Sequence, residues 1–154
     1  MIKQFFILTG VLIILMAIWS CEGEQQQNVD WVAVDDEKIS NYLAEKNIAA
    51  EKHPSGLYYR IITEGNGQHP NPTNIVVANY TGYLMDGTVF DQGTGVEFPL
   101  PNVIQGWQIG IPLLSKGGSG QLFIPSYLAY GNRPPSSAIP RNSVLIFDVE
   151  LLNF

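Results

Sequence analysis

Val103-Ile104-Gln105-Gly106-Trp107 sets three bulky apolar residues around a single glycine, just after Pro101 and just ahead of a short helical pattern. A tryptophan in that setting can form the floor of a hollow instead of vanishing into a core. Working outward, further rings stand at Tyr80, Phe90, Phe98, Tyr130 and Phe147. A small ring-lined pocket with few charges suits a compact apolar ring such as that of proline better than a phosphate or a metal ion.

The helix opening at this stretch is read from about Gln105 to Leu114. Pro112 lies too deep in it for a first-turn proline, so a kink or a very short helix is expected. Around it the pattern is extended. Leu57–Thr63, Ile75–Leu84, Gly120–Pro125 and Ser143–Leu152 read as strands. Another strand begins at Thr88-Val89-Phe90-Asp91 after the hairpin turn Asp86-Gly87 and resumes over Val96–Leu100, with Gly93-Thr94-Gly95 as a short loop between. In the last strand Val144, Ile146, Asp148 and Glu150 alternate with Leu145, Phe147, Val149 and Leu151. Ahead of the strands, Asp35 or Asp36 can cap a helix over about 36–47, with Ile39, Tyr42 and Leu43 at helical spacing.

The chain has 154 residues, 45% hydrophobic and 14% charged, which fits one packed domain with extra length at an end. The 15 glycines and 10 prolines imply many turns. A formal net charge of −6 disfavours a nucleic-acid partner, since phosphate binding wants a basic surface. Lys3 and the apolar run Phe5–Ile18 match a secretory signal, the run being short for a membrane span of ~20 residues. Ile18-Trp19-Ser20-Cys21 follows and resembles a bacterial lipobox, although Trp19 is an unusual occupant. That resemblance implies cleavage before Cys21, the only cysteine, and lipidation there. A single cysteine forms no disulfide within the chain. The expected division is a lipoprotein signal peptide over 1–20, an acidic and polar tether over 21–34, a helix and linker over 35–55, and the strand-rich body over 56–154. Trp31, Val32 and Val34 form an apolar cluster in the tether that either docks on the body or meets the bilayer surface.

Familiar reaction machinery is missing. Gly117-Gly118-Ser119-Gly120-Gln121 lacks the last glycine of a nucleophile elbow. Neither phosphate-binding glycine motif occurs. His53 and His69 sit beside prolines in loops, and two distant histidines make no metal site. No metal or cofactor is expected.

Taken together, V-V-A-N-Y-T-G-Y-L-M-D-G-T-V-F-D, F-P-L-P-N-V-I-Q-G-W, L-F-I-P-S-Y-L-A-Y-G and I-P-R-N-S-V-L-I-F-D-V-E-L-L resemble an FKBP-type peptidyl-prolyl isomerase, over roughly Gly56–Leu152. The resemblance implies an α+β fold, a bent antiparallel sheet of about five strands wrapped around one short helix. It also implies roles. Tyr80 becomes a pocket wall, Phe90 and Asp91 the ring and carboxylate at its edge, and Val103 and Ile104 its lip. The Ile104 N–H would bind a substrate carbonyl, Trp107 would be the floor, and the Tyr130 phenol would hydrogen-bond the ligand. Ile139 and Phe147 complete the apolar lining. Asp91 and Tyr130 are the catalytic residues the resemblance implies, and Asp91 is equally readable as a turn-capping carboxylate.

Three features depart from the family pattern. Val96 stands where many relatives carry an aromatic, and the loop Gln92–Gly95 is short. The tip Asn132–Ser137 has two prolines in place of a histidine some relatives have, and it is too short for the chaperone insert of some bacterial relatives. The implied partners are proline-containing polypeptides, tacrolimus- or rapamycin-type ligands, and a membrane through the lipid, in a bacterial cell envelope. The alternative function is a non-catalytic module or chaperone that holds proline-containing segments in the same cup.

Overall fold

The computed structural model describes residues 29–154. The signal segment, Cys21 and most of the tether lie outside the described residues. Six strands form a single sheet in the order β1-β2-β5-β6-β3-β4, every neighbouring pair antiparallel. They are β1 (Glu51–Lys52), β2 (Tyr58–Thr63), β3 (Ile75–Leu84), β4 (Val89–Pro99), β5 (Ser119–Ile124) and β6 (Leu145–Asn153). The expectation of about five strands missed β1. Its two residues pair with Tyr58 and Tyr59 across the His53–Gly56 turn, too few to show any alternation.

The expected Gly93–Gly95 loop is instead an irregularity inside β4. Pairing runs from Ala78–Val96 directly to Tyr80–Gly93, so one strand carries extra residues there. Asn79 Oδ1 accepts from the Gly95 N–H at 2.8 Å, which keeps the bulged backbone satisfied. The two glycines looked like a break because side-chain support from the neighbouring strand is invisible along the chain.

The period-2 pattern of β6 separates two cores. Leu145, Phe147, Val149 and Leu151 face one cluster with Val76, Ala78, Leu122 and Ile124. Trp107, Ile111 and Leu114 close that cluster from α2 (Gln105–Gly110) and the segment after it. As the proline position implied, the α-helix is short, and a 3-10 turn over Ile111–Leu113 takes Pro112 in its first turn.

Val144 and Ile146 face a second cluster with Tyr58 and Phe123, covered by Ile39 and Leu43 of α1 (Trp31–Glu45). This helix starts earlier than the expected 36–47. Asp30, not Asp35 or Asp36, is its N-cap, accepting from the Val32 and Ala33 amides at 3.0 and 3.3 Å. Trp31, Val32 and Val34 therefore form its first turn, and the Lys38 ammonium lies 5.4 Å from the Trp31 ring centroid. Asp35 is fully buried within the helix. A buried acid reads as a cap when its partner lies 91 residues away.

Candidate active site

The short helix can lie close to the sheet because Gly106 carries no side chain. A Cβ there would run into Ile124 Cγ2 and reach 2.8 Å from its Cδ1. The helix so placed turns the next residue, Trp107, into a hollow of about 330 Å³, at the small end of the ~300–1,000 Å³ range for small-molecule sites. Three strands complete the hollow. β3 supplies Tyr80, β4 supplies Phe90, Asp91 and Phe98, and β6 supplies Phe147. Val103 and Ile104 enter from the approach to α2, and Tyr130 from the connection between β5 and β6.

Trp107 is the hub of the rings. Its centroid lies 5.0 Å from Phe98, 5.3 Å from Phe147 and 5.4 Å from Tyr80, each pair close to perpendicular. Phe90 stands edge-on to Phe147 at 5.5 Å. Edge-to-face geometry sets positive ring edges against negative faces and fixes the rings in place. Gly82 makes room for this packing, since a Cβ there would sit 2.7 Å from both Phe90 Cζ and Phe147 Cε1.

Polar groups are few. The Tyr80 hydroxyl donates to Asp91 Oδ2 at 2.9 Å, and the Gln92 amide donates to Asp91 Oδ1 at 2.9 Å. The carboxylate, inside β4, thus binds the next amide of its own strand and a ring of the hollow at once. Burial first, and then the bond to Asp91, push the Tyr80 phenol up to about 12. Burial and the charge of Asp91 also raise the half-buried Tyr130 phenol. Both phenols are therefore neutral donors at physiological pH. Trp107 Nε1 is buried with no hydrogen-bond acceptor among the described residues.

Eight residues proposed from the sequence thus converge: Tyr80, Phe90, Asp91, Val103, Ile104, Trp107, Tyr130 and Phe147. Ile139 does not line the hollow. It is buried in the main core cluster, which also holds Trp107 and Phe147. Phe98, one of the rings named from the sequence but given no role, lines it too, and so does Asn102. The signal for Phe98 was its ring close ahead of the Val103–Trp107 stretch, and the structure pairs it opposite Val76 on β3. Asn102, exposed at the end of a 3-10 turn over Leu100–Asn102, offered none.

His53 and His69 are placed elsewhere. His53 Nδ1 pairs with Ser55 Oγ at 2.9 Å, and His69 Nδ1 lies 3.1 Å from the Pro112 carbonyl. Among the described residues no three His, Cys, Asp or Glu side chains gather as metal ligands. A wider depression of about 620 Å³ is lined by polar groups including Asn79, Thr81, Gln92, Asp148 and Glu150. It lacks the ring cluster and shares only Tyr80 with the hollow.

Known proteins are similar to this chain in sequence and in fold. The FkpA isomerase of Aeromonas hydrophila is 44% identical over 127 residues, covering 78% of this chain and 47% of its own. The outer membrane protein MIP of Legionella longbeachae is 40% identical over 104 residues, covering 65% and 45%. The crystal structure of FkpA from Escherichia coli superposes with a TM-score of 0.69 at 38% identity, over 79% of this chain and 60% of that one. The chain spans about half the length of the curated relatives it matches. The sequence profile of the FKBP-type peptidyl-prolyl cis-trans isomerases matches residues 66–152, more than half of the chain, and with the fold in agreement the chain belongs to that family.

Proposed function

We propose that this chain is a peptidyl-prolyl cis-trans isomerase that speeds X–Pro bond rotation in exported polypeptides, tethered to an envelope membrane by lipid on Cys21. The observation that carries the reading is the Trp107 floor with Tyr80, Phe98 and Phe147 standing on edge around it at 5.0–5.4 Å.

Resonance holds an amide planar with a rotation barrier of ~18–20 kcal/mol. X–Pro bonds therefore exchange over tens to hundreds of seconds. Twisting the C–N bond removes that resonance and reduces charge separation. A less dipolar transition state loses less on leaving water than the planar ground state does. A dry cup of rings therefore binds the twisted form selectively, as catalysis requires. In this reading the prolyl ring sits on Trp107, the Ile104 N–H receives a substrate carbonyl, and the Tyr130 hydroxyl donates a second hydrogen bond. Asp91 holds Tyr80 in the wall. No nucleophile or proton transfer enters.

A ten-thousandfold acceleration requires ~5.5 kcal/mol, at ~1.4 per tenfold. A positioned hydrogen bond supplies ~0.5–1.5 kcal/mol net. Desolvation and selection of a twisted conformer therefore carry the larger share.

The test is protease-coupled turnover of a short X–Pro peptide, with tacrolimus or rapamycin added as competitor. Turnover that the drug suppresses supports the reading. Drug binding without turnover would make the chain a holding module instead. For the tether, a fatty-acid probe should label the wild type and leave Cys21→Ser unlabelled; equal labelling refutes it. That the Legionella relative is an outer membrane protein supports an envelope location.

A further inference from the structure

We infer that Asp35, on the N-terminal helix, is a positioning residue for the pocket, its buried carboxylate holding the turn that carries Tyr130. The inference rests on the isomerase reading above for its kinetic consequence and on geometry for the rest.

Asp35 is fully buried, an expensive location for a carboxylate. One oxygen, Oδ2, accepts from both the Ser126 amide at 2.8 Å and the Ser126 hydroxyl at 2.6 Å. These are charge-assisted bonds, about twice as strong as neutral ones. The other oxygen has only the Lys38 ammonium nearby, at 3.6 Å and without a hydrogen bond. Packing of the helix does not require this acid, because Ile39 and Leu43 already supply the apolar stripe over the sheet. An aliphatic residue at 35 would extend that stripe without the desolvation cost.

Ser126 explains what the acid secures. Its carbonyl accepts from the Ala129 amide at 3.1 Å and from the Gly131 amide at 2.9 Å. These are the two residues flanking Tyr130. The Gly131 carbonyl in turn accepts from the Asn142 amide at 2.7 Å, anchoring the far side. Asp35 therefore grips Ser126, and Ser126 grips the backbone on both sides of the ring that walls the hollow. Asp35 lies ahead of the family-matched residues 66–152. One wall of the hollow is thus set from a helix outside that segment.

The experiment uses the full-length chain, with Asp35→Ala, Asp35→Asn, Tyr130→Ala and the Asp35→Ala/Tyr130→Ala double variant. It measures peptide turnover and the Tyr130 ring resonances by NMR, assigned through their loss in Tyr130→Phe. Asp35→Ala is expected to shift those resonances and lower kcat/KM about tenfold at a temperature where it remains folded. Asp35→Asn keeps an acceptor for Ser126 and should stay within about twofold of wild type. On the Tyr130→Ala background, removing Asp35 should cost nothing further. Additive losses in the double variant, or unmoved Tyr130 resonances in Asp35→Ala, would overturn the inference. If Asp35→Ala does not fold, Ser126→Ala replaces it, with shifted Tyr130 resonances expected and unshifted ones overturning. If the wild type turns over no peptide, the isomerase reading fails by itself, and the Tyr130 resonances alone decide the role of Asp35.

Discussion

Trp107 packs on three other rings, whereas the Tyr130→Phe change removes one hydroxyl, and this difference sets the order of their effects. Trp107→Ala or Phe147→Ala should lower kcat/KM more than Tyr130→Phe does, because each removes an apolar surface that several rings share. Such truncations cost ~3–5 kcal/mol of stability, so folding must be verified before rates are compared. The reverse order in the peptide assay would shift the mechanism from desolvation to hydrogen bonding. The raised phenols give a second expectation. Tyr80 titrates near 12 in the folded chain against an ordinary 10.0, so its stabilising contribution is complete below pH 10 and lost as pH rises through about 12. Turnover should be flat from about pH 6 to 9, where neither phenol ionises. In denaturation curves, Tyr80→Phe should lack part of the alkaline loss seen in the wild type.

At the scale of elements, α2 has only six residues and owes its position to contact, not to length. Gly106 rests on the stiff, fully buried Ile124, which has no free direction in which to yield. Gly106→Ala should destabilise the chain by ~1–3 kcal/mol through overpacking and lift Trp107 away from its neighbours. Urea unfolding with Trp107 fluorescence measures both. Unchanged stability would mean that α2 can slide along the sheet. The segment after α2 is held by different means, a 3-10 turn and the His69 contact to the Pro112 carbonyl.

Across the whole molecule the sheet is covered on both sides, by α2 and the ring-lined core on one and by α1 on the other. The second covering belongs to the folded body, although it precedes the family-matched residues. A chain beginning at residue 29 should unfold cooperatively. A chain beginning at residue 51 loses Ile39 and Leu43 and uncovers Phe123 and Ile146. That loss amounts to about 3–6 kcal/mol as an upper estimate for two buried aliphatic side chains. A lower melting temperature together with increased binding of a hydrophobic dye is the expected outcome. Equal melting of the two chains would mean that α1 merely rests on the surface.

By itself the chain determined β2, β3, β5 and β6, the two-faced character of β6, the brevity of α2, and eight residues of the hollow. Each of these is a local regularity: a period of two, a proline in a fixed position, or an ordered motif. Only the tertiary structure decided that β4 runs on through its two glycines, that Ile139 belongs to the buried core and not to the lining, and that Asn102 reaches the site. It alone revealed Asp35 as an internal anchor and not a cap. In each case the deciding contact joins segments distant along the chain or on different strands. A side chain's spacing shows which face it occupies, but not what the rest of the fold brings against it.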